Sequence, residues 1–186
     1  MKLVSIILVC VLSAFTSNAQ MLINSEEGFT PQIGIMVSML NDMSNRVERT
    51  VKDLDINETD FLLDENANTI GTLVMHLAAI EKFYQVYTFE KREFNEEEQE
   101  EWGTPMSMGD KARAKFKGKP ISYYLKIYKD VRAKTLAYFK EQDDAWLNEV
   151  PQGYRMNMHW AWFHVMEHQS SHLGQILLLK KRIPKD

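Results

Sequence analysis

Apolar residues recur every three or four positions along most of the chain, the period of a helix buried on one face. Ile33, Met36/Val37, Leu40, Met43, Val47, Val51 and Leu54 predict a helix over residues 31–54, with Thr30 as N-cap and Pro31 at its first position. Ile70, Leu73, Val74, Leu77, Ile80, Tyr84 and Tyr87 predict a second, begun by Asn68 or Thr69 and running to about Phe89. The polar connection between them, residues 53–68, is expected to tuck Phe61-Leu62-Leu63 inward. Tyr124, Leu125, Ile127/Tyr128, Val131, Leu136 and Phe139 predict a third helix from about Ile121 to Gln142. A loop with Pro151 and Gly153 follows. The last helix then runs from about Asn157 to Lys181, and Lys180-Lys181-Arg182 suit the negative end of its dipole.

Residues 90–120 interrupt the pattern. Glu96 to Glu101 is acidic apart from Gln99, and Lys111, Arg113, Lys115, Lys117 and Lys119 alternate with small or aromatic residues. Such charge runs read as a long solvated connection rather than a binding element. With no convincing strand pattern, the fold class is all-α: a four-helix bundle with a long connection between its second and third helices. Thirteen Gly plus Pro in 186 residues, about 7% against roughly 12% in average usage, lean the same way.

The N-terminus has a different character. Lys2 precedes an apolar run from Leu3 to Phe15, and small residues stand at Ser17 and Ala19. This is the pattern of a secretory signal peptide over residues 1–19, cleaved before Gln20. The run is shorter than the roughly 20 residues that span a bilayer. Residues 20–186 are then a single helical-bundle domain, periplasmic or secreted, with no stable membrane insertion once the signal is removed. Val9 is too bulky for Cys10 to be a favoured lipid-attachment cysteine, and cleavage removes Cys10, the one cysteine of the chain. Loss of Lys2 leaves 21 basic against 26 acidic side chains, a charge of −5. That balance argues against a nucleic-acid coat. An exported chain without cysteine depends on core packing or metal, not disulfides.

Four of the five histidines fall within fourteen residues, at 159, 164, 168 and 172. Residues four apart on a helix are offset by about 40° and rise about 6 Å, so their side chains can converge on one ion. His164, His168 and His172 form two overlapping pairs of this kind, suited to zinc or another borderline divalent cation. The same helix is otherwise apolar, so some of these imidazoles must face the interior, where a shared metal satisfies several at once. A third ligand must come from elsewhere, and His76 is the remaining histidine. Bundle cores are where facing helices place metal ligands. His164-Val-Met-Glu167-His168 also matches an inverted zinc-peptidase pattern. That scheme needs an acidic ligand well downstream, and Asp186 is the sole acid after His168. Paired Glu-x-x-His motifs of a di-iron bundle are absent.

The segment from Trp162 to Ile176 resembles the histidine-rich last-helix signature of the DinB-like helical-bundle superfamily. Thr69-Ile-Gly71-Thr-Leu-Val-Met-His76-Leu-Ala-Ala-Ile-Glu81 resembles its second-helix motif, in which a glycine precedes the first histidine ligand. The resemblance covers about residues 25–182. It implies a divalent cation, commonly zinc or nickel, held by His76, His168 and His172, with His164 at a position often histidine but usually not a ligand. Two positions depart from the family pattern: Leu173 stands where many members are basic, and Ser171 where many have a second histidine. Members include S-transferases that use low-molecular-weight thiols, whose sulfur a metal deprotonates near neutral pH. Export separates the protein from the main thiol pools, and an open metal site can instead activate water for hydrolysis.

Two functions follow as expectations. One is a metal-dependent hydrolase or transferase acting on a small-molecule substrate. The other is a non-catalytic metal-braced protein that binds a small ligand or serves in stress. Glu167, Glu81 and Asp42 are the candidate general bases, none placed by sequence. Gln175 reads as an ordinary polar helix residue, with orientation of a ligand imidazole as the alternative. Tyr84 and Trp160 are candidates for the mouth of the site or for packing. A homodimer is compatible with one chain of this kind but not specified by it.

Overall fold

The structure, a computed structural model, describes residues 22–184; the signal peptide expected over residues 1–19 lies outside them. Among the described residues there are seven α-helices and no strand. They are α1 (Pro31–Val51), α2 (Ile56–Thr59), α3 (Ile70–Thr88), α4 (Glu96–Ser107), α5 (Gly109–Phe116), α6 (Ile121–Phe139) and α7 (Met158–Arg182), with a 3₁₀ turn at Trp146–Asn148. The four long helices form the bundle, in the order α1–α7–α3–α6 around its axis. No helix among the described residues is long and apolar enough to cross a membrane.

Helix α3 is buried along nearly its whole surface. Its sequence explains this, since almost every residue from Ile70 to Ala79 is apolar or small, and such a helix must be covered all round. Helices α6 and α7 cover part of it, and α4 and α5 cover the rest. Residues 90–120 are therefore not a solvated loop. Asn95 accepts from the Glu98 amide at 2.8 Å and the Glu98 carboxylate accepts from the Asn95 amide at 3.1 Å, a reciprocal cap that starts α4. Glu96, Glu97 and Glu98 lie in its first turn, where the dipole favours acid. The acidic run is the outer face of a helix whose inner face carries Trp102 and Pro105. Ala112 and Phe116, one turn apart, do the same for α5. Met108 and Gly109, with φ of 54° and 71°, reverse the chain between the two.

Local signals at the other helix ends hold in part. Thr69 caps α3 by accepting from the Thr72 amide at 3.2 Å. Asn68, the alternative cap, instead accepts from the Gly109 amide at 3.1 Å and ties α5 to the start of α3. Thr30 has the extended N-cap backbone before Pro31, but its hydroxyl does not cap α1. It donates to Asp144 Oδ1 at 2.5 Å, and the same oxygen accepts from the amides of Gln32 at 2.9 Å and Ile33 at 3.1 Å. These bonds, the Thr30 hydroxyl foremost, hold the Asp144 carboxyl below its usual pKa. Helix α1 ends at Val51 rather than Leu54, and α6 at Phe139 rather than Gln142. Leu62 and Leu63 are exposed, not tucked in, and Phe61 is half-buried; the buried residues of that connection are Leu54 and Thr59.

The interior has two apolar clusters. One gathers Leu73, Leu77, Tyr124, Tyr128 and Ile176. The other gathers Ile33, Leu40, Phe139, Met158 and Trp162. On α3, α6 and α7 alike, buried polar residues fall at the junction of the two: Glu81 and Gln85, Arg132 and Thr135, and Gln169.

Candidate metal centre

Helix α3 presents His76 inward at 4% exposure, and α7 presents His168 and His172 toward it from one turn apart. Ring centroids are 5.0 Å apart for His76–His168, 4.9 Å for His76–His172 and 4.5 Å for His168–His172. One nitrogen of each ring lies within 4.8 Å of the other two. Of the two overlapping pairs in the last helix, the structure brings 168/172 to His76. His164 stays at the rim, its ring 5.8 Å from that of His168, and His159 is exposed outside the cluster.

The outer nitrogens of two rings are engaged. His76 Nδ1 lies 2.9 Å from the Pro105 carbonyl oxygen. A carbonyl can only accept, so Nδ1 carries the proton and Nε2 keeps its lone pair. Pro105 lies in the last turn of α4, where carbonyls lack partners within the helix. His172 Nδ1 donates likewise to Gln175 Oε1 at 2.9 Å, which frees its Nε2. Gln175 thus orients an imidazole rather than being the ordinary polar residue its position suggested. His76 Nε2 faces His168 Nε2 at 2.9 Å. With the lone pair on His76, the proton in that contact sits on His168, and a cation can replace it.

Burial is the main cause lowering the pKa of all three rings. For His168 the neighbouring His172, His76 and His164 add to it and bring the value down to about 4. For His76 the bond to Pro105 opposes the shift, and for His172 the bond to Gln175 does. All three are neutral near pH 7, the form that binds metal. Three neutral imidazoles from two helices, two with their second nitrogens fixed by oxygen acceptors, match the donor set and outer support of a borderline divalent cation. The residues fit the ion.

The candidate bases separate. Asp42 pairs with Arg46 one turn along α1 at 2.8 Å and is not among the groups that converge with the histidines. Glu81 is fully buried and clasped by Arg132, so it is not a proton acceptor open to substrate. Glu167 is exposed, and its Oε2 lies 3.3 Å from His164 Nδ1, not at the cluster as a peptidase pattern would require. Trp160 stacks on His164 at 5.1 Å and 8°, and Tyr84, itself buried, lies 6.0 Å from it. An aromatic and imidazole rim therefore borders the three histidines. Sequence reasoning missed Pro105, because nothing local to α4 announces that its carbonyl meets α3. It also missed Arg132, Thr135 and Gln169, whose polar side chains interrupt no helical period.

An all-helical bundle with three histidines converging from its second and last long helices defines a DinB-like protein. The family model for mycothiol-S-transferase matches residues 35–184, and the chain belongs to that family. The crystal structure of a conserved protein from Enterococcus faecalis has the same fold. It aligns with 12% identity and a TM-score of 0.58, over 79% of this chain and 94% of that one. At that identity the likeness speaks for the fold alone. No curated protein matches the chain.

Proposed function

We propose that the protein is a metal-dependent S-transferase. His76, His168 and His172 hold a divalent cation, zinc or nickel, and a low-molecular-weight thiol is joined to a small electrophile. The observation that carries this is the convergence of three neutral imidazoles, two of them oriented by Pro105 and Gln175. Family membership favours thiol transfer over hydrolysis. The cation, when bound, supplies the Lewis acidity that lowers the pKa of a thiol presented to it.

The chain's own groups account for the rest. In the balanced reaction the thiol gives up its proton, sulfur forms a bond to the electrophilic carbon, and the displaced group or π electron pair leaves that carbon. His164, at the rim with Nδ1 turned to Glu167, is the open basic group able to take the proton. Trp160, exposed and stacked on His164, offers flat apolar surface to the electrophile, and the buried Tyr84 ring backs His164 from the interior. Pro105 and Gln175 keep the imidazole protons off the nitrogens that face the site. Export by the N-terminal leader is part of the same proposal and sets where the thiol must be met.

Metal analysis of tag-free protein tests the ligand set, with His172→Ala expected to lose bound metal and His159→Ala to keep it. Turnover of a panel of thiol and electrophile pairs, alongside simple esters and amides, tests the reaction. Native protein without stoichiometric metal ends the proposal. Metal without turnover leaves a metal-braced binding protein, and turnover of esters alone makes it a hydrolase.

A further inference from the structure

The turn of α7 that carries His168 also carries Gln169, whose side chain is buried at 1% exposure. Gln169 Nε2 donates to Glu81 Oε2 at 3.1 Å, and Glu81 lies five residues after His76 on α3. The same carboxylate accepts from Arg132 Nε and Nη2, at 2.7 Å each, and from the Thr135 hydroxyl at 2.6 Å. Gln85, one turn further along α3, donates to the Val131 carbonyl at 2.7 Å and to Thr135 Oγ1 at 2.9 Å. One fully buried carboxylate thus joins α3, α6 and α7 within about a turn and a half of the histidines.

Stability alone is a poor account of this arrangement. Burying an ion pair carries a desolvation cost, and apolar residues of similar volume often serve a core equally well. The driving force of apolar burial is itself non-directional and scales with area, whichever partners supply it. Hydrogen bonds to a fixed carboxylate set one register. A metal site needs such a register, because its ligands must be held to within about 0.5 Å. The network sits where the two apolar clusters meet.

We infer that Glu81 is a positioning group for the metal centre: through Gln169 it locks α7 against α3 in the register that brings His168 and His172 to His76. The inference rests on the ligand set proposed above. Gln169→Leu separates it from a general role in stability, since it removes the link to α7 while leaving Glu81 with Arg132 and Thr135. Leu147→Ala, a truncation in the second apolar cluster, is the comparison.

Both variants keep a helical far-UV spectrum. Gln169→Leu weakens zinc binding by tenfold to a hundredfold, the range typical of groups behind a ligand, and changes the visible spectrum of the cobalt(II)-loaded protein. Leu147→Ala lowers the melting temperature but leaves affinity and spectrum as in the native protein. Native affinity and spectrum in Gln169→Leu overturn the inference, as does a loss no greater than that of Leu147→Ala. Histidine-ring nitrogen NMR of the metal-free protein supplies a readout independent of metal. The His76–His168 contact persists in native protein and Leu147→Ala and is lost in Gln169→Leu; its retention there overturns the inference whatever the metal does. Native protein that binds no zinc or cobalt refutes the ligand set instead.

Discussion

Gly71 is the second residue of α3 and faces α6 so closely that no side chain fits. A Cβ built on it would lie 2.7 Å from Tyr124 Cζ and 3.0 Å from both Cε2 and Oη. Carbon atoms in ordinary contact sit at about 3.5–4.0 Å. Gly71→Ala therefore requires the ring or the helix to give by about 0.7 Å or more. Tyr124 cannot swing aside freely, because it is fully buried and its hydroxyl donates to the Phe116 carbonyl. Overpacking of this kind costs about 1–3 kcal/mol. Alanine's better helix propensity returns at most ~1 kcal/mol, and less in a first turn. The net expectation is a loss of about 1–2 kcal/mol, or ~2–8 °C in melting temperature for a domain of this size. Gly174 gives the opposite case: it is exposed within α7, and a Cβ there meets nothing within 4 Å. Gly174→Ala should stabilise by about 0.5–1 kcal/mol through propensity alone. Thermal unfolding followed by circular dichroism in the presence of a chelator compares the two without a contribution from bound metal. A Gly71→Ala protein as stable as the native one, or a shift of the same sign in both variants, refutes the close packing of α3 on α6.

Three further outcomes follow from the same geometry. Burial lowers His168 to about 4, so between pH 6.5 and about 4 the unfolded chain binds a proton that the metal-free native state does not. Stability must then fall with falling pH across that window, by ~1.5 kcal/mol for this ring after discounting its partial exposure. Urea unfolding at several pH values measures it, and an equal slope in His168→Gln would disprove the assignment. Trp162→Ala, at a fully buried ring packed on Phe139 at 4.7 Å and Phe89 at 5.3 Å, should cost about 3–5 kcal/mol. Trp162→Phe should cost less, forfeiting mainly the bond from Nε1 to the Thr88 hydroxyl at 3.2 Å; a reversed order in denaturant melts would count against this packing. Asn95→Ala removes the cap of α4 at about 1 kcal/mol. Amide exchange should quicken in α4 first, and uniform protection would show that α4 is held by something other than its cap.

What the sequence made legible follows from the range of each interaction. The four long helices and the pairing of His168 with His172 on one face could be read because their determinants are periodic or local. An apolar stripe at three-and-four spacing, a Thr before a helix and two histidines one turn apart all act within a few residues. The cap of α4 was equally local, in Asn95-x-x-Glu98, and was obscured by reading five acidic residues as solvated when only their outward face is. Asp144 capping α1, Pro105 orienting His76 and Gln169 reaching Glu81 are different in kind. Each joins segments far apart in the chain, and each uses a residue whose local environment is unexceptional. Charge and burial pattern show that such groups must find partners, since an unpaired buried polar group is costly, but not which ones. Three imidazoles near one another need only a helical period and a bundle. Three imidazoles with the correct nitrogens free also need a carbonyl from α4 and an amide one turn along α7, so the chemistry of the site depends on the part of the chain, residues 90–120, that looked least structured.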